Sequence, residues 1–322
     1  MPSSELPSSR LPDTLCPSTL AYNNFCYRKV SKLGSGTFAN VYLMRNSFGH
    51  QLAAKIMETR HSFQKAANKH EVEILNRLGH PNIVKLYKVS RSNHQNFCLM
   101  LMECVPGGEL SSFAATCGHD DLRAVFRQIV DAVSYLHSVN VVHCDLKPSN
   151  VLVSHTKRVK LCDFGFAQYF YFDQLNAEIP MQYRGGTCAF NSPLKLQGRP
   201  SQGTKNDVWS LGILLFNIHT RRYPWHKADA ENDRFFARWV CDRQYDLFSL
   251  YDIPSDAVEV IKGALNIDEI ERWSVARMKK TKYYDSFYVE QKVQERPAVK
   301  SREPVSLKKR RSWGIWNFWP LK

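Results

Sequence analysis

Apolar and polar positions alternate differently in the two parts of the chain. Short β-prone runs recur between residues 27 and 103, in the stretches YRKVSKLG, NVYLMRN, QLAAKIM, IVKLYKV and NFCLMLME. One stretch, residues 65–79, instead carries Val72, Leu75 and Leu78 at helical spacing. This pattern predicts an antiparallel sheet interrupted by a single helix.

Beyond the turn PGGEL at residues 106–110, the periodicity becomes helical. Residues 120–139 are amphipathic, and residues 207–220 are apolar nearly all round, which is typical of a helix buried in a core. The sequence therefore predicts a bilobal α+β fold. A small antiparallel-sheet lobe with one helix, about 25–105, precedes a larger, mainly helical lobe, about 106–280.

Composition places the chain inside the cell. Residues 1–24 are rich in Pro and Ser and lack the apolar core of a secretion signal, which predicts a disordered segment. No run approaches the roughly 18 apolar residues that a membrane span needs. The nine cysteines are odd in number and scattered, which favours reduced thiols over a disulfide framework or a zinc site. We expect a cytoplasmic protein, with nuclear or peripheral-membrane association as alternatives.

The positive charge is concentrated at the C-terminal end. The net charge is +14, and residues 277–322 hold 13 Lys and Arg against 4 Asp and Glu, so +9 of it lies there. Residues 281–322 are therefore predicted to form a basic tail. A block of four cations, 308–311, precedes three tryptophans: Trp313, Trp316 and Trp319. The tail is open to three interpretations: a disordered segment, a signal for an import receptor, or a contact with an anionic membrane surface. No specific nucleic-acid binding is expected.

Candidate chemistry begins in the β-rich part. The stretch LGSGTFANV at 33–41 is a glycine-rich hairpin, and Gly34 and Gly36 let backbone amides approach phosphate oxygens. Lys55 stands in an apolar strand, where an ammonium group needs a partner. Glu71, sixteen residues later on the predicted helix, offers one. The pair is either a structural ion pair or a lysine held against phosphates.

A second polar group follows the helical switch. The stretch VVHCDLKPSN at 141–150 brackets charged residues with strand formers, which predicts a loop presented at a cleft. Asp163, in LCDFG, comes eighteen residues after Asp145. Asp163 and Asn150 make an all-oxygen pair suited to Mg²⁺ bound to nucleotide phosphates.

Taken in order, these motifs resemble a eukaryotic protein kinase over residues 27 to about 278. The glycine-rich loop, strand lysine, helix glutamate, HCDLKPSN, DFG, GTCAFNSP, DVWSLG and the late Arg272 follow one another at the spacing of that family. The resemblance implies an ATP- and Mg²⁺-dependent phosphotransferase. DLKPSN is typical of kinases acting on Ser or Thr, and HPNIVKLY and PGGEL resemble the calmodulin-kinase-like group.

The resemblance also implies a role for each matching residue. Asp145 would accept the substrate hydroxyl proton and Lys147 would neutralise the γ-phosphoryl group, while Lys55, positioned by Glu71, would hold the α- and β-phosphates. The implied magnesium ligands are Asn150 and Asp163. The implied nucleotide-binding residues are Leu33, Gly34, Ser35, Gly36, Val41, Ala53, Lys55, Met102, Glu103, Val105, Glu109, Leu152 and Cys162.

The implied substrate is a protein, and a basic sequence motif is one expectation for it. Glu109 resembles the acid that contacts ribose and, in some kinases, a substrate arginine. Ser149 stands where a further acid often sits, which weakens the expectation. A pseudokinase scaffold that binds nucleotide or partners without transfer is the alternative, and a small-molecule kinase on a related fold is a third.

Three positions depart from the family pattern: Ala39 replaces a glycine, Leu194 replaces the glutamate that pairs with Arg272, and Cys144 replaces an arginine. That arginine ordinarily grips a phosphate on the activation segment, and a neutral thiol cannot. The segment between Asp163 and Gly186 also lacks Ser and Thr. The sequence predicts a kinase that is not switched on by phosphorylation of this segment.

Overall fold

The computed structural model describes residues 16–36, 39–92, 96–183, 185–241 and 247–285. All of them belong to one compact unit. The cation block and tryptophans of the basic tail lie outside the described residues, so the interpretations of the tail stay predictions. Among the described helices, none is both long and apolar enough to cross a bilayer.

A six-stranded antiparallel sheet with one helix forms the small lobe, as predicted. Its strands follow the order β1-β2-β3-β4-β6-β5 across the sheet. The strands are β1 (Thr19–Tyr22), β2 (Phe25–Ser35), β3 (Ala39–Asn46), β4 (Gln51–Glu58), β5 (Leu86–Ser92) and β6 (Phe97–Glu103). Helix α1 (Ser62–Arg77) lies between β4 and β5 in the sequence.

Strand β1 corrects the prediction that residues 1–24 are disordered. Thr19 pairs with Arg28 and the strand continues antiparallel along β2. Cys16, just before it, is buried against the outer face of the sheet. A four-residue strand carries too little alternation to be recognised alone, and it forms here because β2 supplies its hydrogen-bond partners.

The larger lobe is mainly helical. Its helices are α2 (Leu110–Ala114), α3 (His119–Ser138), α4 (Pro193–Leu196), α5 (Gly203–Thr220), α6 (Arg234–Cys241), α7 (Ser255–Ala264), α8 (Val275–Met278) and α9 (Lys282–Asp285). Short strands β7 (Val141–Val142), β8 (Val151–Val153), β9 (Val159–Leu161) and β10 (Gln168–Tyr169) lie between α3 and α4. Helix α5 is buried on nearly all sides, as its sequence predicts. The predicted boundary at residue 280 is too early, because Tyr283 of α9 is buried in the core.

Two apolar clusters position the site. One covers the outer face of the sheet and includes Leu52, Ala54 and Ile56; the other runs from α1 through the larger lobe. Successive side chains of a strand point to opposite faces. The residues between Leu52 and Ile56 in β4, Ala53 and Lys55, therefore face inward, toward α1 and the larger lobe.

Candidate active site

Lys55 lies between two carboxylates. Its Nζ is 2.6 Å from Oε1 of Glu71 on α1 and 2.8 Å from Oδ1 of Asp163, the residue after Cys162 beyond β9. Only 8% of Lys55 is exposed. Burial by itself lowers the pKa of the ammonium group, but the two carboxylates outweigh it and raise the pKa above its usual value. Lys55 is therefore held as a cation within the fold.

The catalytic loop, residues 143–150, is anchored by Asp207 of α5. The buried Asp207 carboxylate accepts hydrogen bonds from the backbone amides of His143 and Cys144, each at 2.9 Å, and faces His137 Nε2 at 3.0 Å. Burial raises the pKa of this carboxyl, but hydrogen bonding and charge from His137 outweigh it and leave the pKa below its usual value. The backbone at Cys144 has a φ of +63°. Asp207 thus holds the loop in a bend that few residues adopt freely.

Asp207 lies in DVWSLG, and its role as an anchor of the loop was not predicted from the sequence. A signal was present, because an aspartate in a helix that is apolar nearly all round must be satisfied by a partner.

Asp145 receives donors on both carboxylate oxygens. Its Oδ1 accepts from the amide and hydroxyl of Thr187, at 2.9 and 3.0 Å. Its Oδ2 accepts from Asn150 Nδ2 at 3.0 Å and is 2.8 Å from Lys147 Nζ. Lys147 also donates to Thr187 Oγ1 at 2.9 Å. The fold therefore brings the predicted loop residues together around one carboxylate.

The two predicted magnesium ligands keep oxygens available. Asn150 donates through its amide nitrogen to the Asp145 carbonyl and carboxylate, and its amide oxygen accepts no hydrogen bond from the described residues. The Asp163 side chain is 47% exposed. Burial raises the pKa of its carboxyl, but Lys55 outweighs burial and holds the pKa below its usual value. An ionised carboxylate and an amide oxygen fit a hard cation.

His143 joins the catalytic loop to the Asp163 segment. Its ring nitrogen Nε2 is 3.2 Å from the Cys162 carbonyl, and its ring centre is 4.9 Å from that of the buried Phe164. The Cys162 amide donates to the Asn150 carbonyl at 2.9 Å. These contacts fix Asp163 relative to Asn150.

Some of the residues predicted to contact the nucleotide lie on neighbouring strands of the sheet, and others lie on or beside β8. Val41 pairs with Lys55, and Ala53 pairs with Met102 in the sheet register. Leu152 lies on β8 and bridges to Glu109.

The Glu103 amide already donates to the Lys85 carbonyl, so only its carbonyl can serve a bound base. The thiol of Cys162 is half-buried, and burial followed by the Asp163 charge raises its pKa to about 12.

Arg272 has other partners in place of the glutamate that Leu194 replaces. The buried guanidinium donates to backbone carbonyls of Asn266 at 3.0 Å, Lys205 at 3.3 Å and Ile267 at 3.4 Å. It also lies 4.9 Å from the Trp209 ring centre, and Glu269 is 3.9 Å away. Burial lowers its pKa to about 10. Backbone oxygens and an aromatic face, together with the longer ion pair to Glu269, therefore satisfy the arginine.

Cys144 lies in an apolar cluster with Tyr183. The cluster also contains Val142 and Phe170, and Cys144 and Tyr183 are 2% and 1% exposed. The Tyr183 hydroxyl lies against the backbone of Gly203, the first residue of α5. Burial raises the pKa of the Cys144 thiol. At the position where the family pattern has an arginine, this chain thus has a thiol packed among apolar side chains.

The comparison with protein families gives one match over most of the chain. The model for the protein kinase domain matches residues 27–284. That range covers every element from β2 to most of α9, and it contains all the site residues described above.

Individual relatives agree. The chain is 36% identical over 206 residues to CBL-interacting serine/threonine-protein kinase 19 of Arabidopsis thaliana, covering 62% of this chain and 42% of the relative. It is 29% identical over 265 residues to CBL-interacting protein kinase 11 of Oryza sativa subsp. japonica, covering 80% of this chain and 51% of the relative. The chain thus spans about half the length of the relatives it matches.

Proposed function

Since the chain belongs to the protein kinase family, we propose that it transfers the γ-phosphoryl group of ATP to a serine or threonine hydroxyl of a protein substrate. One observation carries the proposal. Lys55 with its two carboxylates and the loop around Asp145 supply the kinds of charge that phosphotransfer requires, and this arrangement supports the proposal.

The glycine-rich strand supports nucleotide binding. A Cβ on Gly34 would meet no atom within 4 Å, and one on Gly36 would meet only the Ala39 carbonyl at 3.9 Å. Neither glycine has a positive φ among the described residues. Because the fold itself has no need of glycine here, the open space favours a ligand that approaches the backbone. Phosphate groups are such a ligand.

Each charged side chain then has a task in the transfer. Asp145 accepts the proton of the substrate hydroxyl, and its contacts with Thr187 and Asn150 hold the carboxylate in place. Lys147 brings a cation to the same position, and Lys55 is fixed where a nucleotide's phosphates would lie beneath the glycine-rich strand. Bound nucleotide and Mg²⁺ would supply the phosphoryl group and further positive charge, with Asn150 and Asp163 holding the metal.

We also infer that activity does not require phosphorylation of the segment between Asp163 and Gly186. Cys144 offers no cation to a phosphate, and Tyr183 is packed on it rather than exposed. A phosphate on Tyr183 would have to be placed in an apolar cluster, which is costly. The apolar contact therefore takes over the ordering that an arginine–phosphate pair provides elsewhere.

The same residues argue against the alternative of a pseudokinase scaffold. A scaffold needs neither a base nor its proton-accepting geometry, whereas this chain keeps Asp145 held by three neighbours. Of the departures from the family pattern, Leu194 is accommodated because Arg272 finds other partners. The geometry therefore favours the enzyme.

Phosphate transfer from labelled ATP with Mg²⁺ to a degenerate Ser/Thr peptide library tests the proposal. We expect transfer by the wild-type chain and none by Asp145→Asn or Lys55→Met. Asp145→Asn should still bind nucleotide, because the phosphate and metal ligands remain. Asp120→Asn and Lys65→Met, both at exposed helix positions, are the matched controls. Undiminished transfer in the two site variants would refute the assignment.

A further inference from the structure

A groove runs beside the catalytic loop on the larger lobe. Its volume is about 510 Å³, and it shares Lys147 and Thr187 with the site around Asp145. A peptide lying in this groove would be next to the Asp145 carboxylate, because Lys147 and Thr187 contact both. The side chains that give the groove its polarity are Glu109, Lys147, Ser149, Thr187, Asn217 and Arg221.

Three of the lining residues are charged: Glu109, Lys147 and Arg221. Lys147 is paired with Asp145 at 2.8 Å. Glu109 accepts a hydrogen bond from the Ser111 hydroxyl at 3.5 Å. Arg221 makes no ion pair within the described residues. Only its Nη2 is used, donating to the Ala115 carbonyl at 2.7 Å and the Ala114 carbonyl at 3.4 Å. A guanidinium has five N–H donors, so most of its donors remain for a ligand.

The backbone at Arg221 is an outlier. Arg221 ends α5 in the left-handed region, with φ +58° and ψ 21°. Helices commonly end in this conformation with glycine, because a Cβ is disfavoured there. The chain keeps an exposed arginine at a position that suits glycine better. Such a strained residue in a groove points to a function for its side chain.

We propose that Arg221 makes this groove selective for protein substrates that carry an acidic side chain near the phosphoacceptor hydroxyl. The inference rests on the proposed kinase function and replaces the expectation of a basic substrate motif. Ser149 and Asn217 contribute no negative charge to the groove, so Glu109 is the one lining acid that could attract a basic peptide. A carboxylate can accept two parallel hydrogen bonds from a guanidinium.

The test measures binding and transfer separately on the full chain. Fluorescence anisotropy compares Ser-containing peptides that carry Asp, Ala or Lys at one position near the acceptor, scanned along the peptide. We expect one position at which Asp binds roughly fivefold more tightly than Ala, the upper end for an exposed ion pair, with the difference shrinking as salt rises. Labelled transfer to the same peptides should show the same preference in KM.

Arg221→Gly should abolish the preference for Asp while relieving the backbone strain, so the variant is expected to fold. Arg221→Glu should invert it toward Lys. Arg222→Gly is the matched control, since Arg222 is exposed, adjacent and absent from the groove lining. The rival role of Arg221 is to hold the end of α2, and its loss would then weaken all peptides alike.

Two results would overturn the inference: wild-type binding with no preference for Asp, or an Asp preference that survives in Arg221→Gly. A preference that depends on Arg221 in a chain that transfers no phosphate would support the groove assignment and refute the kinase activity. Transfer with no preference for acidic peptides would support the kinase activity and refute the groove assignment. The two proposals therefore fail in distinguishable ways.

Discussion

Replacing Tyr183 by phenylalanine separates two explanations of how the segment after Asp163 is held. If packing on Cys144 orders this segment, the aromatic ring is what matters and the hydroxyl is dispensable. If instead a phosphate on Tyr183 activates the chain, the hydroxyl is indispensable. The substitution keeps the ring and removes only the acceptor, so the two explanations predict opposite results.

The structure also gives the expected size of the effect on stability. The Tyr183 hydroxyl is buried against the backbone of Gly203, and a hydrogen bond there contributes about 1 kcal/mol. Removing the hydroxyl should therefore change the free energy of unfolding by no more than about 1 kcal/mol and the melting temperature by about 2 °C. Tyr183→Ala removes the ring as well and should cost about 3–5 kcal/mol, the usual loss for a buried aromatic side chain.

The assay uses protein produced in bacteria and treated with phosphatase. Initial rates of labelled phosphate transfer and thermal or denaturant unfolding are measured for wild type, Tyr183→Phe and Tyr171→Phe. Tyr171, in the same segment, is 57% exposed and serves as the control. We expect full transfer activity in all three. A large loss of transfer in Tyr183→Phe, or in phosphatase-treated wild type, would refute the packing explanation.

Four further outcomes follow from the same contacts. Cys144→Arg should lower the free energy of unfolding by about 1–3 kcal/mol, because the larger side chain overpacks the apolar cluster around Cys144, and should not make transfer depend on phosphatase treatment. Cys162 should be alkylated slowly at neutral pH, faster as pH rises toward its pKa of about 12, and less when ATP and Mg²⁺ are bound; equal rates with and without ATP would contradict its place in the nucleotide pocket. Burial lowers the pKa of His219 to about 4. As pH falls, the His219 imidazole is therefore protonated in the unfolded chain before it is protonated in the folded chain, and stability should fall by about 2–3 kcal/mol between pH 6.5 and 4. His219→Gln should flatten that loss and exposed His155→Gln should not. Deleting residues 307–322 should abolish weak, salt-sensitive binding to anionic vesicles; equal sedimentation of both chains with vesicles would leave import or disorder.

Local pattern was sufficient for the order of elements. The helix predicted at 65–79 is observed at Ser62–Arg77, and the buried helix predicted at 207–220 is observed at Gly203–Thr220. Periodicity records which face of an element is buried, and that information is local to the element. The motif residues could also be recognised locally, from their residue types. A lysine in an apolar strand needs a partner, and an aspartate between apolar residues and a glycine is a candidate for a cleft.

Tertiary structure decided which distant residues meet. Asp207 reaches the amide of His143, 64 positions away, and Thr187 reaches Asp145, 42 positions away. Arg272 is satisfied mainly by backbone carbonyls, beside a longer ion pair with Glu269, and the sequence could not identify either partner. No periodicity contains such pairs, because they arise from packing one element against another and not from spacing along one.

Conformation at single residues also came only from the fold. In the sequence, Arg221 cannot be told apart from other surface cations. Only the backbone shows that it has a positive φ and lies beside the catalytic loop. Cys144 predicted the absence of a phosphate grip, because a thiol has no charge to offer. The burial of Tyr183 on that thiol depends on the path of a segment forty residues further along the chain, which packing against α5 determines.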